Sequence, residues 1–99
     1  MRGQNQPPMA FPVRQVKGRW EVQLPPDKWL PCESKEDAEL IAAAPVLEYE
    51  SLEKTRSGVA FADKLENTAR ALEKYNIGFG SRFFQRSADE VRSAARRSC

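Results

Sequence analysis

The chain has 99 residues, enough for one domain and too few for a second core. Hydrophobic residues make up 40% of it and charged residues 30%, which is typical of globular rather than disordered proteins. The net charge of +2 is too small to indicate a dedicated nucleic-acid-binding domain. The sequence has no apolar run near the ~20 residues that span a bilayer, and its polar N-terminus lacks the apolar stretch of a secretion signal. We therefore expect a cytoplasmic protein.

The charge is unevenly distributed along the chain. Residues 1–32 and 76–99 each carry a net charge of +3, whereas residues 33–75 carry −4. This pattern permits head-to-tail contact between copies or an anionic partner. The alternative is that the central helices simply expose solvated glutamates.

The first third of the chain reads as a disordered tail followed by strands. Residues 1–10 are rich in polar residues and proline, and we expect a single α+β domain over residues 11–99. Val13 to Val16 predicts a short strand, followed by a tight turn at Lys17-Gly18. Residues 19–24 alternate apolar and polar side chains, as a half-buried strand does.

Prolines mark the end of the second predicted strand and the position of the third. Pro25-Pro26 ends the second strand because neither residue can donate a ladder hydrogen bond. Residues 28–33 predict a third strand, which Pro31 places at a sheet edge. The prediction is a three-stranded antiparallel meander over about residues 13–33.

Helices are predicted for the rest of the chain. Ser34 is suited to cap a helix over about residues 35–44, and Pro45 favours a break before a second helix over about residues 46–75. Gly58 is a point at which this long helix could split. A last helix is predicted over about residues 87–96, with a capping box between its first residues.

The long helix carries more apolar surface than a small sheet covers. Phe61, Leu65 and Leu72 lie on one stripe at heptad-like spacing. Two alternatives follow: the stripe pairs with a second copy of the chain, or the helix splits at Gly58 and folds back within the monomer.

The residue types argue against catalytic, cofactor and metal sites. The chain has no histidine, which removes the commonest general base and zinc ligand, and its two cysteines, Cys32 and Cys99, cannot make a zinc site unaided. Whether those two thiols form a disulfide stays open. Glu48, Glu50 and Glu53 are better explained as a solvated helix face than as an acid–base pair. Gly78-Phe79-Gly80 lacks the other residues of a phosphate-binding loop.

Two basic segments are candidates for nucleic-acid contact. The C-terminal segment interleaves Phe83 and Phe84 with five arginines: Arg82, Arg86, Arg92, Arg96 and Arg97. Arginines beside aromatic rings can bind phosphates and stack on bases, although here the rings also suit a helix anchor. In the meander, Arg14, Arg19 and Lys28 could line one sheet face, and some three-stranded sheets enter a DNA groove.

Residues 33–45 read ESKEDAELIAAAP, and a tryptophan-containing hairpin precedes them. Over about residues 19–52 the chain resembles small uncharacterised proteins of tailed phages and their bacterial hosts. There a similar hairpin is followed by a "DA-x-LIAAAP" helix and a leucine-rich helix. The resemblance supports this order of elements and implies no activity. After Pro45 this chain departs from the usual Glu-Leu-Leu-Glu run, so its second helix is expected to pack differently.

Taken together, these observations predict a non-enzymatic protein–protein interaction or self-association module without cofactor, metal or membrane contact. The alternative is a weak nucleic-acid-binding accessory protein that uses its basic N- and C-terminal segments.

Overall fold

A computed structural model describes residues 8–97 of the chain. Three strands come first: β1 (Val13–Val16), β2 (Arg19–Leu24) and β3 (Lys28–Cys32). Four helices follow: α1 (Lys35–Ala42), α2 (Ala44–Leu52), α3 (Val59–Lys74) and α4 (Ser81–Arg97). The predicted α+β order is confirmed. Of the predicted N-terminal tail, residues 1–7 lie outside the described part of the chain.

The strands form one antiparallel sheet in the order β1-β2-β3, which confirms the meander. Val22 in the central strand pairs with Val13 on one side and Leu30 on the other, so these apolar side chains share a face. Lys17 and Gly18 both have positive φ, as the tightest hairpin turns require.

Helix α1 covers the apolar face of the sheet, and α3 packs on α1. The Ser34 side chain accepts a hydrogen bond from the backbone N–H of Asp37 at 3.1 Å, which confirms the predicted cap. Ile41 and Val22 are fully buried between sheet and helices. The hydroxyl of buried Thr68 on α3 donates to the Leu40 carbonyl at 3.3 Å, so the polar group inside this contact is satisfied.

The long predicted helix is two helices. Residues 53–58 separate α2 from α3, and the separation includes Lys54 and Gly58 with positive φ. The split near Gly58 is therefore present, but α3 packs on α4 and α1 instead of folding back along α2. Helix α3 ends at Lys74, close to the predicted end at about residue 75. Asn76 just beyond it has φ 55°, and the N–H of Ile77 donates to the Leu72 carbonyl at 2.9 Å.

Helix α4 begins earlier than predicted, at Ser81 instead of near Ser87. Ser87 is buried in the middle of the helix and does not cap it. Phe84 explains the difference, because its side chain is 2% exposed and the first turn of α4 delivers it to the core beside α3. Gly80 permits the approach: a Cβ there would lie 3.2 Å from side-chain atoms of both Leu72 and Phe84.

Candidate functional site: the solvent-facing side of helix α2

The three residues predicted for self-association lie inside the monomer. Phe61 is 1% exposed, and Leu65 and Leu72 are fully buried in the core. Helix α4 packs along α3 and contributes Phe84 and Ala88 to the same core. The apolar stripe of α3 is thus covered by the chain itself, and pairing between copies would have to use other residues.

The five C-terminal arginines do not form one basic patch. Arg92 bridges α4 to α3, with its guanidinium 2.8 Å from Asp63 Oδ1 and 2.6 Å from Glu66 Oε1. Its hydrogen bond lowers the pKa of the Glu66 carboxyl below the ordinary value. Arg92 therefore has a structural role in joining the two helices.

The other four arginines face solvent in different settings. Arg96 donates a 3.4 Å hydrogen bond to the hydroxyl of Ser93. Arg86 and Arg97 line a shallow groove together with Asp89 and Glu90, and Arg82 lines another beside the α3–α4 loop. Acidic side chains on the same helix thus dilute the positive potential that a nucleic-acid surface needs.

The solvent-facing side of the sheet is also only weakly basic. The Arg14 guanidinium lies 3.8 Å above the Trp29 ring and pairs with Glu21 at 2.7 Å. Arg19 is exposed on the same side as Arg14, opposite Val16, whereas Lys28 pairs with Leu24 on the other side of the sheet. The predicted set of Arg14, Arg19 and Lys28 is therefore divided between two faces.

A cluster of titratable groups joins the sheet to α1 and α3. Asp37 Oδ2 accepts hydrogen bonds from the Tyr75 hydroxyl at 2.6 Å and from Lys74 Nζ at 2.9 Å, while Lys74 Nζ also lies 2.8 Å from Glu33. The Tyr75 oxygen in turn accepts from the backbone N–H of Glu33 at 2.8 Å.

These contacts shift pKa values away from neutrality. The hydrogen bond from Tyr75, followed by that from Lys74, lowers the pKa of Asp37 below 3.8. Burial and the Asp37 contact raise the pKa of Tyr75. Nearby, burial raises the pKa of the Cys32 thiol to about 11. Because these pKa values move away from 7, the groups are better suited to holding the sheet, α1 and α3 together than to transferring protons at neutral pH.

Helix α2 has apolar side chains on the side that faces away from the core. Ala44 and Leu47 are buried and hold the helix to the core. Four apolar side chains lie away from that side: Pro45, Val46 and Tyr49 are partly buried, and Leu52 is 62% exposed. Pro45, Tyr49 and Leu52 follow the helical spacing i, i+4 and i+7. Among the described residues, the partly buried apolar side chains that pack against the core all come from outside α2.

We call Pro45, Tyr49 and Leu52 the α2 stripe. Glu48 and Glu53 flank it, both exposed and both without an ion pair in the described part of the chain. Glu50, by contrast, pairs with Arg56 at 3.2 Å. The stripe is therefore an apolar strip with two uncompensated carboxylates at its edges. The sequence predicts a helix break at Pro45, but its pattern assigns no binding role to Pro45, Tyr49 or Leu52.

Two chemical properties hold for residues 8–97. These residues contain no group of three or more His, Cys, Asp or Glu side chains arranged to hold a metal ion. None of their helices is long and apolar enough to cross a membrane. The Cys32 thiol forms no disulfide within the described residues. Cys99, with which a disulfide stayed open in the sequence analysis, lies outside them.

Comparisons with protein-family models, curated proteins and solved structures find no match for the chain. The resemblance of residues 19–52 to phage and bacterial proteins therefore stays a prediction, and the function has to be argued from the surfaces described above.

Proposed function

We propose that this protein is a non-enzymatic protein-interaction module that binds its partner through the α2 stripe. The observation that carries the proposal is the position of Pro45, Tyr49 and Leu52 on one helix side that the monomer's core does not use. Single exposed apolar residues are common, whereas neighbouring apolar residues that a fold leaves exposed together mark contact surfaces. Recognition by such a face needs only a few well-placed anchors.

The burial of the α3 core residues within one chain supports an external role for the α2 stripe. Phe61, Leu65 and Leu72 complete the core within one chain, so the chain does not need a second copy to bury them. In the linker after α2, Arg56 pairs with Glu50 and lies 4.7 Å from the Phe61 ring centre. Helix α2 is thus anchored to the core through Ala44 and Leu47, while Leu52 is exposed and Pro45 and Tyr49 are partly exposed on the other side.

Site-specific photo-crosslinking tests this proposal. A photoreactive phenylalanine analogue replaces Leu52 in one variant and Val59 in a control variant, since Val59 is a similarly exposed apolar residue outside α2, at 57%. We expect a discrete adduct from Leu52, weakened by Tyr49→Ser, and none from Val59. Equal adducts from both positions, or none from either, would contradict the proposal. The masses of the adducts distinguish a second copy from another protein.

A second candidate function is weak nucleic-acid binding by α4. Its supporting observation is that Arg82, Arg86 and Arg97 are exposed and have no ion pair within the described residues. A titration against mixed-sequence DNA and RNA at low and moderate salt tests it. Binding that falls steeply with salt, with a shallower slope after Arg82, Arg86 and Arg97 are changed to alanine, would favour this function. Absence of binding at low salt would remove it.

A further inference from the structure

The charges beside the α2 stripe restrict what can bind there, and this inference rests on the proposed function. Helix α2 and its C-cap contain three glutamates and no basic residue. Arg56 compensates Glu50, which leaves Glu48 on one side of the stripe and Glu53 on the other. A partner that covers the stripe therefore brings its own rim close to two carboxylates.

The shape of the stripe fits a helical partner. Spacing at i, i+4 and i+7 is the spacing at which one helix packs its side chains between those of another. The nine residues of α2 extend for roughly 14 Å at the usual helical rise. A partner helix of two to three turns would cover this length.

A second copy of the chain is a poor occupant. Pairing α2 with its own copy would bring glutamates and no compensating cation from either helix to the contact, and like charges across an interface oppose association. The basic helix α4 of a second copy cannot cover the α2 stripe with apolar side chains either, because Phe84 and Ala88 are buried against its own α3.

We propose that the α2 stripe receives an amphipathic helix of another protein, whose apolar side is flanked by lysine or arginine. The apolar anchors supply affinity, and the cations opposite Glu48 and Glu53 select the partner and accelerate its approach.

Two synthetic helical peptides test this specificity. Both carry leucines at heptad spacing, but one has lysines at the flanking positions and the other has glutamates. Binding to the full chain is measured by fluorescence anisotropy at low and moderate salt. We expect the lysine peptide to bind at least about tenfold more tightly at low salt, with the difference shrinking as salt rises. In the double variant Glu48→Lys/Glu53→Lys the preference should reverse.

Matched variants separate the two proposals. Glu73→Lys changes an exposed carboxylate on α3 and should leave the preference for the lysine peptide as it is. Leu52→Gln should weaken both peptides, whereas Val59→Gln should not. If the double variant changes neither affinity while Leu52→Gln weakens both, the charge inference is wrong and the site stands. If Leu52→Gln has no larger effect than Val59→Gln, the site itself is wrong. Circular dichroism confirms that each variant is folded.

Discussion

Because Leu65 lies in the core and Leu52 lies on the surface, we expect the same substitution at the two positions to change stability by very different amounts. Leu65 is fully buried, whereas Leu52 is 62% exposed, so Leu→Ala at the two positions is the same chemical change in opposite settings. At Leu65 the change removes buried apolar atoms and leaves a cavity, which costs about 3 kcal/mol of the free energy of unfolding. At Leu52 little is lost, and we expect a change within about 0.5 kcal/mol.

Such a loss at Leu65 is large for a domain of this size. Small domains have free energies of unfolding of roughly 5–15 kcal/mol, and each kcal/mol corresponds to about 4–8 °C in Tm for a domain of 60–100 residues. Leu65→Ala should therefore lower Tm by about 12 °C or more. Leu52→Ala should leave it within a few degrees of the parent protein.

Urea denaturation followed by circular dichroism measures both variants. The slope of the free energy with urea checks that the cost lies in the folded state. The midpoint should also be independent of protein concentration, because Leu65 is buried by its own chain. A cost under about 1 kcal/mol at Leu65, a comparable cost at Leu52, or a midpoint that rises with protein concentration would refute the assignment of α3 to the monomer core.

Three further predictions concern single groups. Because the pKa of Asp37 is lowered by its contacts in the folded state, its stabilising contribution is complete above the ordinary carboxyl value of 3.8 and is lost as pH falls through the lower folded pKa. The stability difference between the parent protein and Asp37→Asn, measured by denaturation from pH 6 to pH 2, should therefore shrink at the acid end; a constant difference would contradict the contact. Gly80→Ala should cost roughly 1–2 kcal/mol, since Gly80 has φ 88° and little room for a Cβ. Gly78→Ala is the control because a Cβ there meets nothing within 4 Å, and an equal cost at both glycines would argue against the close approach of α3 and α4. In a Cys99→Ser background, Cys32 should react slowly with thiol reagents at pH 8 and quickly in urea, because burial raises its pKa to about 11; rapid reaction of the native protein would contradict its burial.

The local signals in the sequence predicted the elements that depend on neighbouring residues. Alternation in residues 19–24 fixed which side of β2 is apolar, and Lys17-Gly18 marked the turn before it. Ser34 marked the start of α1, and Pro45 lies in the first turn of α2. Each of these signals acts within a few residues, so tertiary contacts do not override it.

The start of α4 and the role of α3 depended on packing between distant segments. Phe84, Ser87, Ala88 and Val91 recur at helical spacing, a signal that could have placed the start of α4 before Ser87. The stripe around Leu65 was visible in the sequence, but its pattern is the same whether the covering helix comes from the same chain or another copy.

The α2 stripe could not be assigned from the sequence for a related reason. Helix α2 is apolar on more than one side, with Leu47 and Tyr49 two positions apart. Only the packing of Ala44 and Leu47 into the core shows that Leu52 is exposed and that Pro45 and Tyr49 lie outside the core. Patterns in a single sequence show that a helix has apolar surface, but they do not show which part of it the fold leaves open.

The central claim, that the α2 stripe is a contact surface, is tested most directly by oxidative footprinting in intact cells and on the purified chain. The account predicts that Tyr49 and Leu52 are oxidised readily in the purified protein and are protected in cells, while exposed Phe79 is oxidised equally in both. Equal oxidation of Tyr49 and Leu52 in cells and in isolation would contradict it.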